Sequence, residues 1–400
     1  EEYGAQPPIE LLRQWMDHDG WYDLKDCSFR ELVDLQFVCA MGAPGGGRNP
    51  ITPRYLRHYN LTWCVDYSQT SLERIFKTII TWHLEPFPGD VQSLCTPIVQ
   101  STIAIYANIA EQLLPTPAKS HYTYNLRDIS KVVQGVLQCT TKSIGTPNDL
   151  IRLWLHECLR VFADRLVEAK DTDWFYAQLD AQLDTRFKKS WAEVTETDER
   201  RLLFGDFMKE GSSEYECMPD IDALIAKTQT MLEDFNAVSK RPMELVLFPF
   251  AIEHVCRILR VIKQPYGNAL LVGMGGSGRQ SLTTLAAHMA TFELFSIELS
   301  KNYDNTAWRD DLKRLLVQSG QECKPTVFLF SDTQVKQESM IEDINNILNA
   351  GEVPNLFASD EVSQICEGLQ GKAKEVGLQE TTPAAMWRLF VQMCRSNLHV

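Results

Sequence analysis

The chain has 400 residues, 44 % of them hydrophobic, with 39 Lys and Arg against 53 Asp and Glu for a formal net charge of −14. At ~150 residues per domain this length predicts two or three domains with a substantial core. The acidic balance argues against a surface that clings as a whole to nucleic acid or anionic lipid, and eleven cysteines without a CxxC pair or Cys/His cluster read as reduced thiols of a cytosolic compartment.

The opening EEYGAQPPIE lacks the positive charge and apolar core of a signal peptide, so it reads as a chain entered partway through a domain. Residues 35–42, LQFVCAMG, form an apolar run suited to a buried strand, closed by the glycine-rich APGGGRNP; a second such run, LTWCVDY, covers 61–67. Apolar residues at helical spacing predict a helix over 92–114, stopped by Pro115 and Pro117. Further helices are expected at 125–139, 148–168 and 172–191, the second capped by Asn148 or Asp149.

Residues 192–219 are charged and poor in apolar periodicity, which places a boundary there. A polar helix follows at 220–238. The longest apolar run, 245–252, is broken by Pro249 and far short of the ~20 residues that span a bilayer. From 245 the pattern alternates: helix 250–263, strand 269–272, helix 279–290, strand 292–299, helix 305–319, strand 326–331. Such alternation calls for a parallel sheet with crossover helices. His121, His156, His254 and His288 have no partner at ligand spacing and read as packing or surface histidines. Trp82, Trp154, Trp174 and Trp387 fall on apolar helix faces, where core packing is expected.

The chemistry is concentrated in LLVGMGGSGRQS, 270–281. Gly273 and Gly278 satisfy the GxxxxG part of a phosphate loop, with Gly275, Gly276 and Ser277 between them; side chains there would block the curl of backbone N–H groups around a phosphate. A helix starting at Arg279 adds its positive end. The full pattern, GxxxxGK[ST], requires Lys for the β- and γ-phosphates and Ser or Thr for Mg²⁺, and Arg279 and Gln280 occupy those places. Arginine keeps the charge but is planar and bulky; Ser281, one place on, is the nearest hydroxyl for the metal. Asp332 ends the apolar strand TVFLF and is expected on a strand neighbouring the loop, where Mg²⁺ is held directly or through water. Thr333 stands where a water-activating glutamate is expected and cannot accept a proton at neutral pH. Glu338 and Glu342 follow on a helix whose solvent face is acidic, the simpler reason for their presence. Binding without rapid hydrolysis is the expectation.

These residues resemble dynein heavy chains of the axonemal kind. QPYGNALLVGMGGSGRQSLTTLAAHMA and FLFSDTQVKQESMIEDINNILNAGEVPNLF are similar to the fourth AAA+ module of the motor ring, and YGAQPPIELLRQWMDHDGWYDLKD with FVCAMGAPGGGRNPITPRYLRHYN to the later half of the third. The resemblance implies an α/β fold of AAA+ P-loop NTPase modules with a helical lid: residues 1–90 as the later part of one large subdomain, 91–195 as its lid, 196–244 as an inter-module linker and lead-in helix, and 245–400 as the next large subdomain. It implies ATP or ADP with Mg²⁺ at Gly273–Ser281 and Asp332, with Ser281 and Asp332 on the metal. It makes Arg127 the lid arginine reaching a γ-phosphate in the third module, and Arg54 or Arg57 an arginine finger. Gly42 stands where many AAA+ modules have asparagine, so no sensor role falls on it.

The same resemblance implies a microtubule motor ATPase of the ciliary or flagellar axoneme, in the cytoplasm and cytoskeleton. Its partners would be neighbouring AAA+ modules, the microtubule through a stalk outside this segment, and intermediate and light chains with other axonemal proteins; neither nucleic acid nor membrane is expected. The alternative is a non-catalytic ring scaffold with a vestigial phosphate loop. A small-molecule kinase would need an acceptor-binding lid on a compact single domain, and neither is visible.

Overall fold

The computed structural model describes residues 6–42, 51–209, 211, 214–300, 303–378 and 382–400. Its packing separates residues 1–68 from 69–400.

In the first unit, α1 (Pro7–His18) begins on a proline, whose fixed φ suits a first turn. It leads into an antiparallel hairpin of β1 (Gly20–Tyr22) and β2 (Phe29–Glu31), and the one-turn α2 (Pro53–Leu56) follows. The expected strands at 35–42 and 61–67 do not form: both runs are irregular, with Val38 94 %, Trp63 72 % and Val65 78 % exposed. An apolar run becomes a strand only where a neighbour completes its hydrogen bonds, and among the described residues the hairpin pairs only with itself. The glycine-rich loop at 43–50 lies outside the described residues.

The second unit opens with a helical layer: α3 (Gln69–Leu84), α4 (Gly89–Gln92), α5 (Cys95–Gln112), α6 (Leu126–Val136), α7 (Pro147–Cys158), α8 (Ala169–Gln182) and α9 (Trp191–Thr195). Leu72, Phe76, Ile80 and Leu84 of α3 enter the same core as Ile98, Ile105 and Trp154. Residues 69–84 therefore pack with the helical layer, rather than with the preceding α/β section where sequence placed them. Of the four tryptophans expected in core packing, Trp82 is the exception: it is 72 % exposed, whereas Trp154 is fully buried. The cap of α7 is Thr146, and Asp149 closes its capping box from the third helical position. The helices expected to run through 168 and 191 end earlier, each in a π-turn, at 159–163 and 183–187.

The described residues of 196–219, a stretch expected as part of a linker, include folded structure. β3 (Phe204–Gly205) and β4 (Glu216–Cys217) pair antiparallel. Leu202 and Phe204 point into the helical core, while Leu203, between them, enters the next one. Alternation along this segment, which leads into β3, thus divides it between two cores. The second core adds α10 (Ile221–Val238), α11 (Pro249–Lys263) and α12 (Arg279–Met289).

Beyond it lies a parallel sheet of β5 (Glu293–Phe295), β6 (Thr326–Phe328) and β7 (Leu398–His399), in that order. It is covered by α13 (Asn305–Leu316), α14 (Glu338–Ala350), α15 (Ser359–Gly368), α16 (Gln370–Glu375) and α17 (Pro383–Asn397). The strands expected at 292–299 and 326–331 are shorter than their apolar runs, since the pairing covers only Glu293–Phe295 and Thr326–Phe328. No helix of the described residues is long and apolar enough to cross a membrane.

A buried ion pair joins the helical layer to α11. The Glu157 carboxylate is fully buried and accepts from Arg260 Nε at 3.0 Å and from its Nη2, while the Tyr215 hydroxyl donates to it at 3.2 Å. Gly135 makes room: a Cβ there would lie 1.8 Å from a Glu157 oxygen. His156 donates from Nδ1 to the Leu202 carbonyl at 2.9 Å and sets Nε2 3.1 Å from the Tyr215 hydroxyl. Burial pushes the His156 pKa well below the ordinary imidazole value, and Arg160 and Arg260 push it the same way.

The folded joint therefore keeps His156 neutral, whereas the unfolded chain takes up a proton below about pH 6.5. Stability from this group is complete above that pH and is lost as the pH falls, at up to about 1.4 kcal/mol per unit. Denaturant melts at pH 7.5 and 5.5 should show a loss that is smaller in His156→Gln; an equal loss in both would count against this origin.

Candidate functional site

The phosphate-loop sequence folds as a tight crown leading into a helix. Gly276 and Gly278 take left-handed φ values of 79° and 77°, a region open to glycine at little cost. Ser277 N–H turns back to the Met274 carbonyl at 3.3 Å, and Gly278 caps α12. Space above Gly275 and Gly276 is open, with nothing within 4 Å of where a Cβ would lie. At Gly273 a Cβ would come within 3.3 Å of Ser277 Oγ, so the crown closes there.

Arg279 is drawn into the loop. Its Nη1 donates to the Leu271 carbonyl and its Nη2 to the Met274 carbonyl, both at 3.2 Å. A guanidinium has five N–H donors in a planar fork, so two can hold the loop while the rest remain for an anion. Lysine, a point charge, would not span both carbonyls in this way. In the first turn of α12, Gln280 is exposed and Ser281 half-buried.

The expected strand at 269–272 joins the sheet at one point: Ala269 N–H donates to the Val400 carbonyl at 2.9 Å, and Asn268 Oδ1 accepts from Val400 N–H at 2.8 Å. Leu270 and Val272 are 90 % and 86 % exposed. The loop segment thus lies beside β7, not β6, and this corrects the expectation that the strand carrying Asp332 neighbours the loop. Thr326 and Val327 pair with Leu398 and His399, so Phe328 is level with Val400 and hence with Ala269. Four residues further along each segment are Asp332 and Gly273. Both lie past the last paired residues of β6 and of the loop segment.

Asp332 is exposed, and one carboxylate oxygen accepts from Thr333 N–H at 3.0 Å. The other can hold a metal-bound water. Thr333 Oγ1 lies 2.9 Å from Ser331 Oγ, and no carboxylate stands in its place. Glu338 and Glu342 are exposed on α14.

Of the three remaining arginines, Arg127 belongs to the second unit and Arg54 and Arg57 to the first. Arg127 is exposed in the first turn of α6, where Asn125 and Asp128 form the capping box. Arg54 is 68 % exposed, with Glu10 at 3.7 Å, whereas Arg57 is paired with Asp17 and donates from Nε to the Arg54 carbonyl at 3.2 Å. Arg54 is the less restrained of the two. The joint residues Glu157, Tyr215 and Arg260 escaped sequence reading; the available signal was a charge set among apolar residues in LIRLWLHEC and VCRILRVIK, with no spacing rule to pair them.

A glycine crown opening onto a helix, at the edge of a parallel sheet and next to a helical layer, defines the AAA+ P-loop class. Comparison with known families agrees. Residues 243–400 match the family described as P-loop containing dynein motor region D4, residues 1–67 the P-loop containing dynein motor region, and residues 98–197 the AAA+ lid domain. Over its full length the chain is 48 % identical to dynein axonemal heavy chain 1 of Mus musculus and 42 % identical to the dynein-1-beta heavy chain of the flagellar inner arm I1 complex of Chlamydomonas reinhardtii. Over 98 % of its length it is 46 % identical to dynein axonemal heavy chain 3 of Mus musculus. The chain belongs to the axonemal dynein heavy chain family. It spans 9–10 % of the length of these relatives.

Proposed function

We propose that the loop 273–281 binds ATP or ADP, and that occupancy rather than turnover is its contribution. The observation that carries this reading is the crown itself: two left-handed glycines, open space above Gly275 and Gly276, and a guanidinium held at its rim. Backbone N–H groups and the start of α12 receive the phosphates, and Arg279 adds charge-assisted bonds about twice as strong as neutral ones. Ser281 and Asp332 would hold Mg²⁺, which neutralises phosphate charge when bound.

Thr333 supplies no base, so a bound nucleotide persists. Because the crown and the lid layer are parts of one packed unit, filling the loop biases the shape of the ring segment, which is the requirement for regulation by binding. In the same reading, Arg127 serves the preceding module's nucleotide and Arg54 is the better candidate for the finger. The full heavy chain is then an ATP-driven microtubule motor of the ciliary or flagellar axoneme. Its partners are other AAA+ modules of the same chain and axonemal proteins, including intermediate and light chains.

One observation favours a second reading, a vestigial loop in a scaffold: Arg279 already satisfies two loop carbonyls and could simply close the crown. Thr333→Glu in the full heavy chain separates the two. If the loop holds Mg-nucleotide, a carboxylate at this position should raise turnover there by roughly 10²-fold, the ordinary scale of general-base catalysis. Unchanged turnover with no nucleotide bound favours the scaffold.

A further inference from the structure

We propose that the seam between the helical layer and α11 holds a binding site for a small oxyanion of the size and charge of inorganic phosphate, separate from the glycine crown. A cavity of about 370 Å³ opens there, faced by Arg160, Arg200, Arg201 and Arg257 and by the carboxylates of Glu199 and Glu253, with Tyr176 on one wall. A volume that large holds more than a single water, whose share of the liquid is about 30 Å³.

The groups are unevenly paired. Arg200 is closed off by a two-pronged bond to Asp180 at 2.6 and 2.7 Å, and Glu199 is a 69 % exposed rim residue 3.5 Å from Arg201. Inside, the groups form a chain: Arg201 to Glu253 at 2.7 Å, Glu253 to Arg257 at 3.4 Å, Arg257 to Asp164 at 3.4 Å, and Asp164 to Arg160 at 3.3 Å. Three guanidinium groups share these two carboxylates, and Glu199 adds a third from the rim beside Arg201. The Arg160 end is the farthest along this chain of pairs from Glu199, and its side chain is only 8 % exposed.

The donors tell the same story. Arg160 Nε and Nη1 are buried and have no hydrogen-bond acceptor among the described residues, a costly state for charged donors and a rare one in native proteins; Arg257 Nε makes no hydrogen bond and has only its 3.4 Å ion-pair contact with Asp164. A tetrahedral oxyanion offers only acceptors, and the guanidinium fork matches two of its oxygens. Burial lowers the Arg160 pKa, and although Asp164 opposes this, Arg257 and Arg260 lower it further; an anion would reverse that pressure. Arg160 and Tyr176 belong to the helical layer, whereas Glu253 and Arg257 belong to α11, so a bound ion ties the two together beside the Glu157–Arg260 pair.

The test is hydrogen exchange of the full heavy chain, saturated with Mg-ADP so that nucleotide sites are filled, with inorganic phosphate replacing chloride at constant ionic strength. Peptides covering 157–165 and 250–258 should exchange more slowly with a saturable dose response, by about tenfold at ten times the dissociation constant. In Arg160→Gln the protection should vanish while exchange across 98–109 stays unchanged. Absence of saturable protection in the unmodified chain, which means the cavity holds water only, overturns the proposal. So does equal protection in folded Arg160→Gln.

Discussion

Glu157→Gln should destabilise the joint between the helical layer and α11 by about 3–5 kcal/mol, the usual consequence of removing one partner from a buried ion pair. Glu157 is fully buried and Arg260 is 9 % exposed, so water cannot replace the lost charge. The amide would leave the guanidinium without its carboxylate and the Tyr215 hydroxyl with a weaker acceptor. Exchange protection in α7 and α11 is the readout, with the larger loss expected where the two elements meet. Replacing both partners, as Glu157→Leu with Arg260→Met, should recover most of the loss, because apolar side chains of similar volume carry no desolvation penalty. If the single variant matches the parent, the pair does not hold the joint.

Arg279→Ala should weaken nucleotide binding by roughly 10–100-fold, corresponding to the 1.5–3 kcal/mol typical of a hydrogen bond to a charged group. Two effects combine: the phosphates lose a counter-charge, and the carbonyls of Leu271 and Met274 lose their tie. Arg279→Lys separates them, since lysine restores charge without bridging both carbonyls. Equilibrium titration with a fluorescent nucleotide analogue should place it between the parent and alanine. Parent-like affinity in Arg279→Ala would mean that the guanidinium serves the loop alone.

Local chemistry was legible in the sequence where residues close on themselves. The glycines between 273 and 278 predict a backbone curled for a phosphate, and the helix beginning at Arg279 follows from the same pattern, because both depend on neighbours a few positions away. Long-range placement was not. The order of strands puts β7, from the far end of the chain, between the loop and the strand leading to Asp332, and no pattern near either segment encodes this. The stretch 196–219 looked like a linker because its apolar residues serve two cores; Leu202, Leu203 and Phe204 alternate between them, and this leaves no single face to detect. Glu157 and Arg260 are 103 positions apart, with only their charges in apolar helices to mark them. The runs at 35–42 and 61–67 show the reverse error, since strand-like composition yields no strand without a partner.

The decisive measurement is the nucleotide content of the full heavy chain after purification without added nucleotide and extraction under denaturing conditions. The unmodified chain should release one more equivalent of ADP or ATP than the double variant Gly276→Val with Arg279→Ala, in which a left-handed turn is strained and the counter-charge is gone. Equal content in the two proteins would contradict nucleotide binding at this loop.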